Sequence, residues 1–217
     1  PYGQSGLEIS EIFARTAAHA DKLCIIRSMQ ANTPNHEQSM RLMNCGDERL
    51  SRPSYGAWIT YGLGTENANL PGFVSIAPSA GNGGPRNYGS AFLPPAFQGT
   101  ALGKAGSPAK EATIRNLINP KLDLATQKKQ LDLLRTLNAD QAERLGRDGE
   151  LDAVIHSFEV AWRMQTNAPD VLDLKNETAA TLEAYGLNHK ETENFGRQCL
   201  MVRRLCESGV RYIQVTY

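Results

Sequence analysis

No stretch of this sequence approaches the roughly 20 consecutive apolar residues that a membrane-spanning helix requires, so no span is expected in it. The opening residues, Pro1-Tyr2-Gly3-Gln4-Ser5-Gly6, lack both the basic start and the apolar run of a signal peptide. With no initiating methionine, the chain reads as a piece of a longer protein. Net charge is also missing: 23 Lys and Arg face 23 Asp and Glu. A balanced chain has no field with which to gather a polyanion, which sets nucleic-acid binding aside. The tight basic pair near a helix end, Arg203-Arg204, reads as a solvated helix face.

Cysteine is scarce, with Cys24, Cys45, Cys199 and Cys206 and no Cys-x-x-Cys among them, which excludes a zinc ribbon. All four read as small buried or half-buried hydrophobes. Neither the G-x-S-x-G turn of serine hydrolases nor the H-E-x-x-H helix of zinc peptidases occurs. The histidines number 4; His19, His156 and His189 are scattered on helices without a partner at metal spacing, and His156, beside Ile155, reads as a hydrogen-bonded packing residue. Arg163, near Trp162 and Met164, could bind an anion or could equally pair with Glu159 four residues earlier.

What is present is an ordinary globular composition, 41% hydrophobic and 21% charged, with helical and strand signals in alternation. Apolar residues from Leu7 to Ala20 follow a helical period. Leu23-Cys24-Ile25-Ile26 is a short apolar run of the kind buried on both faces of a parallel sheet. A polar loop follows, and Asn35 is placed to cap a helix with Gln38 at the capping-box position; Met40, Leu42 and Met43 give it an apolar side, and Gly46 ends it. A second helix is predicted over Ser54–Leu63, and a strand over Leu70–Pro78. Residues 79–110 are rich in glycine and proline and read as a long loop; within it Gly81-Asn82-Gly83-Gly84 has the backbone for a phosphate but lacks the lysine of a P-loop.

Residues 126–207 are predicted to be mostly helical. Thr126 caps a helix carrying Leu131, Leu134 and Leu137. Asp148 caps a longer one with Leu151, Val154, Ile155, Phe158, Ala161 and Trp162 on one face, ended by Pro169. Two more follow over Asn176–Tyr185 and Lys190–Glu207, the latter with Phe195, Cys199, Val202 and Cys206 inward. Val210–Tyr217, rich in β-formers, reads as a strand. The fold class is α/β.

The strongest chemical candidate is the loop after the expected Cys24–Ile26 strand. It would stand at a strand's carboxyl end and enter a helix amino terminus, where free N–H groups favour an anion. It offers Thr33, Asn35, His36, Glu37 and Ser39. His36 could bind a metal or act as acid or base; Thr33 or Ser39 could be a nucleophile given an activating group. The plain alternative is that Asn35 is only a cap and His36 an exposed first-turn residue.

Many ordered segments resemble one bacterial family, the domain-of-unknown-function 1501 proteins, related to sulfatases and alkaline phosphatases. They include Tyr2-Gly3-Gln4-Ser5-Gly6, Cys24-Ile25-Ile26-Arg27-Ser28-Met29, Asn35-His36-Glu37, Arg52-Pro53-Ser54-Tyr55-Gly56-Ala57-Trp58 and Leu70-Pro71-Gly72-Phe73-Val74. Phe97-Gln98-Gly99-Thr100, Ala161-Trp162-Arg163-Met164-Gln165-Thr166 and Gly209-Val210-Arg211-Tyr212-Ile213-Gln214 continue the likeness. The resemblance implies an alkaline phosphatase-like sheet flanked by helices, of which residues 1–217 are part of one domain. It implies a metal-dependent hydrolase of sulfuric or phosphoric esters, periplasmic or exported, acting on a small-molecule or glycan ester. A divalent ion, Zn, Ca or Mn, goes with that chemistry, and this piece alone is expected to be inactive. Carried onto this chain, the nucleophile position of sulfatases falls at or next to His36. The resemblance points to a metal or substrate contact from Asn35 and His36; with the reading of the loop itself, catalytic roles are assigned to His36 and Thr33, anion or substrate binding to Asn35 and Ser39, and metal contact to His36 and Asn35. The other reading is a non-catalytic exported binding or surface protein that keeps the fold.

Overall fold

The structure, a computed structural model, describes residues 1–114, 117–146 and 148–217. It divides into two compact units, Pro1–Asn32 and Thr33–Tyr217.

In the first unit the chain doubles back at once. Tyr2 N–H donates to the Leu7 carbonyl at 2.9 Å and Leu7 N–H to the Tyr2 carbonyl at 3.2 Å. The Asp21 carboxylate accepts from the backbone N–H of Gln4 (3.0 Å) and Ser5 (2.8 Å), and those amides hold its pKa below the usual carboxylate range. The helix expected over Leu7–Ala20 is broken into a 3-10 turn, Glu11–Phe13, a short helix α1 (Ala14–Ala17) and a second 3-10 turn, Ala20–Lys22. Of the apolar period only the small Ala17 and Ala20 are buried, while Ile12 and Phe13 are exposed, and helices this short do not persist on propensity alone. The Leu23–Ile26 strand is not formed: the segment is unpaired and Ile26 is 65% exposed. An apolar run becomes a strand only when a neighbour's backbone takes its N–H and C=O groups, and nothing in the run itself supplies one.

The second unit holds α2 (His36–Cys45), α3 (Tyr55–Leu63), β1 (Phe73–Ile76), β2 (Thr100–Leu102), α4 (Leu124–Leu145), α5 (Gly149–Leu172), α6 (Ala179–Ala184), α7 (Glu193–Glu207) and β3 (Tyr212–Val215). The α3 helix and the strands β1 and β3 match their sequence signals: Ser54 caps α3 and Gly64 ends it. Gly46, at φ 73°, ends α2 in the left-handed region a glycine reaches without penalty. The span 79–110 is more ordered than its composition suggests. It contains β2 and the 3-10 turns Gly84–Tyr88, Pro95–Phe97 and Ala109–Glu111. Thr100-Ala101-Leu102 is too short to stand out beside Gly99 and Gly103; only its pairing with Val74–Ile76 makes it a strand.

The sheet is parallel throughout, in the order β2-β1-β3, with Val74 opposite both Thr100 and Ile213. All four residues of β1 are buried, as expected where helices cover both faces. Val74, Ile76 and Leu102 join Met164 and Ala168 of α5 and Leu200, Met201 and Leu205 of α7 in the main core. Successive strand side chains alternate in direction, so Phe73 turns the other way. Its ring meets that of Tyr212 at 5.1 Å, and Gly56 of α3 lies against both rings so closely that a Cβ there would come within 2.5 Å of Tyr212.

Several helix faces differ from the expected ones. On α7 the core stripe is Leu200, Met201 and Leu205, while Phe195 and Cys206 are exposed. On α5 it is Ile155, Met164 and Ala168; Phe158 and His156 are exposed, so His156 is no packing residue. Pro169 lies inside α5 rather than ending it. The helix runs on because Arg204 takes its terminal carbonyls, Val171 at 2.7 Å and Asp170 at 2.9 Å, and Asp173 N–H reaches the Pro169 carbonyl at 3.0 Å. The cap of α4 is Asp123, accepting from Thr126 N–H at 2.7 Å, and not Thr126 itself. The leucines of α4 stay largely outside. Polar pairs tie it to α5 instead: Gln127 with Gln165 (2.7 Å), Asn138 with Asp152 (2.7 Å), and Arg135 with Glu159. The ion pair of Glu159 is thus with Arg135, and Arg163 acts on it only as a weaker, nearby charge.

Arg203 and Arg204 are not a solvated face either. Both reach the Glu177 carboxylate, at 2.9 and 2.7 Å, and Glu177 is only 8% exposed in its side chain. Of the cysteines, Cys24 and Cys206 are exposed, contrary to expectation, while Cys45 and Cys199 are half-buried, and burial pushes both of their thiols up.

Candidate functional site

The Thr33–Ser39 loop folds as a closed hydrogen-bonded cap. Asn35 Oδ1 accepts from the N–H groups of Glu37 (2.9 Å) and Gln38 (3.3 Å), and the Asn35 carbonyl takes Ser39 N–H at 2.9 Å. The Thr33 hydroxyl donates to Gln38 Oε1 at 2.8 Å and accepts from Asn35 N–H at 3.1 Å. The Ser39 hydroxyl donates to the Thr33 carbonyl at 3.1 Å. Gln38 therefore completes the cap through Thr33 instead of reaching back to the Asn35 amide. Three of the four amino-terminal amides of α2 are already satisfied, which leaves little for an anion.

His36 stands apart from this network. It is exposed in the first turn and makes no side-chain hydrogen bond among the described residues. No strand precedes it, so the loop does not stand at the carboxyl end of one as the sequence suggested. Asn35 and His36 do not by themselves fit a divalent ion: the Asn35 carbonyl oxygen is spent on two amides, which leaves one imidazole. Among the described residues no group of three or more His, Cys, Asp or Glu side chains is gathered. The helix α2 itself packs on the Gly84–Tyr88 turn, where the Cys45 thiol donates to the Arg86 carbonyl at 3.2 Å.

A second location has the architecture of a site. The chain passes from β1 to β2 on one side and places β3 on the other. In open parallel sheets ligands bind beyond the carboxyl ends of the strands at such a reversal. Here the carboxyl edge is held by backbone bonds: Ala77 N–H to Leu102 O (2.8 Å), Thr216 N–H to Ile76 O (3.0 Å) and Ala105 N–H to Pro78 O (3.1 Å). Ala77, just past β1, is buried and sits at φ 49°, a left-handed conformation that costs a non-glycine residue about 1–3 kcal/mol and that concentrates at functional positions.

Two cavities open at this edge, of about 420 and 280 Å³, and share Ala77, Ser107, Pro108 and Gln198. Asn194 and Gln198 enter from α7, and Thr216 and Tyr217 from the end of β3. Asn194 Oδ1 is occupied by the Ala109 N–H at 2.6 Å. Gln198 is 2% exposed, and its Oε1 has no hydrogen-bond partner. Such an orphan is uncommon in a folded protein and asks for an explanation. Lys104 and Glu111 stand beside the smaller cavity. A further cavity, about 500 Å³, lies at the other end of the sheet, where Gly72 and Thr100 begin the strands, and its walls are mainly apolar, with His156 at the side. Its position, at the amino ends, is the one where parallel sheets seldom carry chemistry.

None of the crevice residues was singled out by its local sequence. One signal was there: Asn194, Gln198, Met201 and Leu205 follow a helical period, so two amides continue the stripe that α7 buries.

No curated protein and no solved structure matches the chain. Residues 1–217 match throughout the family described as "Protein of unknown function (DUF1501)". With its helix-covered parallel sheet, the chain belongs to that family.

Proposed function

We propose that this chain carries the substrate-facing edge of an exported hydrolase of sulfuric or phosphoric esters with an alkaline phosphatase-like fold. The substrate, a small-molecule or glycan ester, is seated beyond the carboxyl ends of β1, β2 and β3. The observation that supports this reading is the reversal of strand order at β1, with the polar crevice directly above it. Lys104, exposed at the crevice mouth, is the cation available to an ester anion. Thr33, Asn35 and Ser39 take a supporting role in this reading, since their polar groups are spent on the cap of α2. His36, whose imidazole takes no part in the cap, is exposed and open to a substrate or ion.

The test is turnover of 4-nitrophenyl sulfate and 4-nitrophenyl phosphate by the purified full-length protein, with zinc, calcium or manganese added in turn. Metal-dependent release of nitrophenol that falls in a Lys104→Ala variant supports the reading. No release under any of the conditions, from full-length protein with native circular dichroism, overturns it.

The closed Thr33–Ser39 cap favours a second reading, a binding or surface protein that keeps the fold without turnover. An ester that binds without being cleaved, with unchanged affinity in His36→Ala, supports that alternative.

A further inference from the structure

Helix α3 turns its small residues toward the sheet and its aromatic ones away from it. Gly56, Ala57 and Thr60 are its buried residues. Tyr55, Trp58 and Gly62, spaced by three and four, fall on the opposite side. A helix at a protein surface normally carries charged and polar residues on its outer face. No residue of Tyr55–Leu63 is charged, and Tyr55, Trp58 and Tyr61 are 60, 45 and 53% exposed. The aromatic surface continues beyond the helix. Trp58 meets Tyr61 and Phe92 edge-on, at centroid distances of 6.0 and 5.8 Å, and Tyr61 meets Phe97 at 5.2 Å. Phe92, 63% exposed, follows Ala91, which is held at φ 48°, a left-handed conformation that a non-glycine residue adopts at a cost. The rings brace one another, so association finds them already ordered and loses less side-chain freedom.

The size of this face and its symmetry point to one kind of partner. With roughly 150–250 Å² of surface to an aromatic side chain, the exposed parts of Tyr55, Trp58, Tyr61 and Phe92 amount to about 450 Å². The largest apolar patch on an ordinary monomer is about 300–600 Å² and is often functional. Two such faces together would bury about 900 Å² from the four rings, and the exposed Leu63 takes the pair past the roughly 1,000 Å² that a specific interface needs. The face also fits a copy of itself. Across a two-fold axis, a residue that meets a second residue in the other copy is met by it in return. With two α3 helices antiparallel and the axis level with Thr60, Trp58 of each copy lies over Gly62 of the other. Gly62 is open on that side, since a Cβ there meets nothing within 4 Å. The bulkiest side chain of the helix and its hollow are thus one turn apart on one face. A charged surface would repel its own copy, and α3 has no charge with which to do so.

We propose that the outer face of α3 is the interface of a homodimer, in which Trp58 of one copy seats on Gly62 of the second. The proposal is independent of the ester-hydrolase reading, because this face lies apart from the crevice beyond the strands. The experiment is size exclusion with light scattering on the full-length protein over a range of concentrations. The parent runs with the mass of a dimer. Trp58→Glu places a charge at the centre of the interface and raises the dissociation constant about 30-fold or more, so that it runs as a monomer at concentrations where the parent is paired. Should Trp58→Glu fail to fold, Gly62→Arg fills the hollow from a position with open space above it, and it dissociates the dimer with native circular dichroism retained. A dimer that neither folded variant weakens overturns the proposal, since the copies then meet elsewhere. A monomeric parent overturns it as well. Acrylamide quenching of Trp58 fluorescence, read as the difference between the parent and Trp58→Phe, then tells whether the face lies open or is covered by another part of the same chain.

Discussion

Gly196 offers a substitution whose two physical effects oppose each other. It lies in α7, where replacing glycine by alanine gains about 1 kcal/mol of helix propensity. A Cβ at this position, however, would lie 1.9 Å from the Tyr185 carbonyl oxygen and 3.3 Å from Leu187 Cδ1. The first contact is with backbone and lies more than an ångström inside any tolerated approach. The residue after α6 cannot be displaced without moving the Gly186–Thr192 turn, which the Thr192 hydroxyl closes on the Gly186 carbonyl at 2.6 Å. Overpacking of this kind costs about 1–3 kcal/mol, at times more, so the clash outweighs the propensity gain. Gly196→Ala is expected to destabilise by about 1–2 kcal/mol net and to lower the melting temperature by about 2–8 °C. Gly62, in α3, is the control: a Cβ there meets nothing within 4 Å, so Gly62→Ala is expected to stabilise by about 0.5–1 kcal/mol. The assay is thermal and urea unfolding of both variants beside the parent. Equal stabilisation by both would refute the close approach of Tyr185 to α7, and with it the way the connection after α6 is seated.

Four further outcomes follow from named contacts. Leu200→Ala, at a site with no exposed surface in the centre of the core, should cost about 2–5 kcal/mol in urea unfolding. Asn35→Ala should cost about 1 kcal/mol by removing the acceptor of two α2 amides, while His36→Ala leaves the melting temperature unchanged. The Arg204 and Arg203 side chains hold the Glu177 carboxyl below the ordinary carboxylate range. Its folded pKa is therefore the lower one, so the clamp is fully stabilising above the unfolded value near 4.3 and is lost as pH falls through the folded value. Acid titration should show Glu177→Gln unfolding at a pH less dependent on acid than the parent, and identical acid profiles would refute the clamp. Arg204→Lys should fray the end of α5 around Pro169, read as faster amide exchange at residues 170–173, because an ammonium cannot span both carbonyls and Glu177 together.

Elements whose signals are local were legible in the sequence. Asn35 and Gly46 bound α2, Ser54 and Gly64 bound α3, and Asp148 begins α5, because caps act through residues within one turn. The β-forming runs at Phe73–Ile76 and Tyr212–Val215 were legible for the same reason. What needed tertiary structure was whatever depends on a distant partner. The Leu23–Ile26 run and the Thr100–Leu102 segment exchanged fates, because a strand exists only where another backbone lies beside it. The phase of α7 was set by packing on β1 and β3, which put Leu200, Met201 and Leu205 inside and left Phe195 out. Pro169 is carried within a helix by Arg204, which is 35 residues later in the sequence and adjacent only in space. The candidate site divides in the same way. The Thr33–Ser39 loop could be named from sequence because its hydrogen bonds are nearly all local, and locality is also why it closes on itself. The crevice at Gln198 could not, since Ala77, Ser107, Asn194 and Thr216 meet only where the strand order reverses.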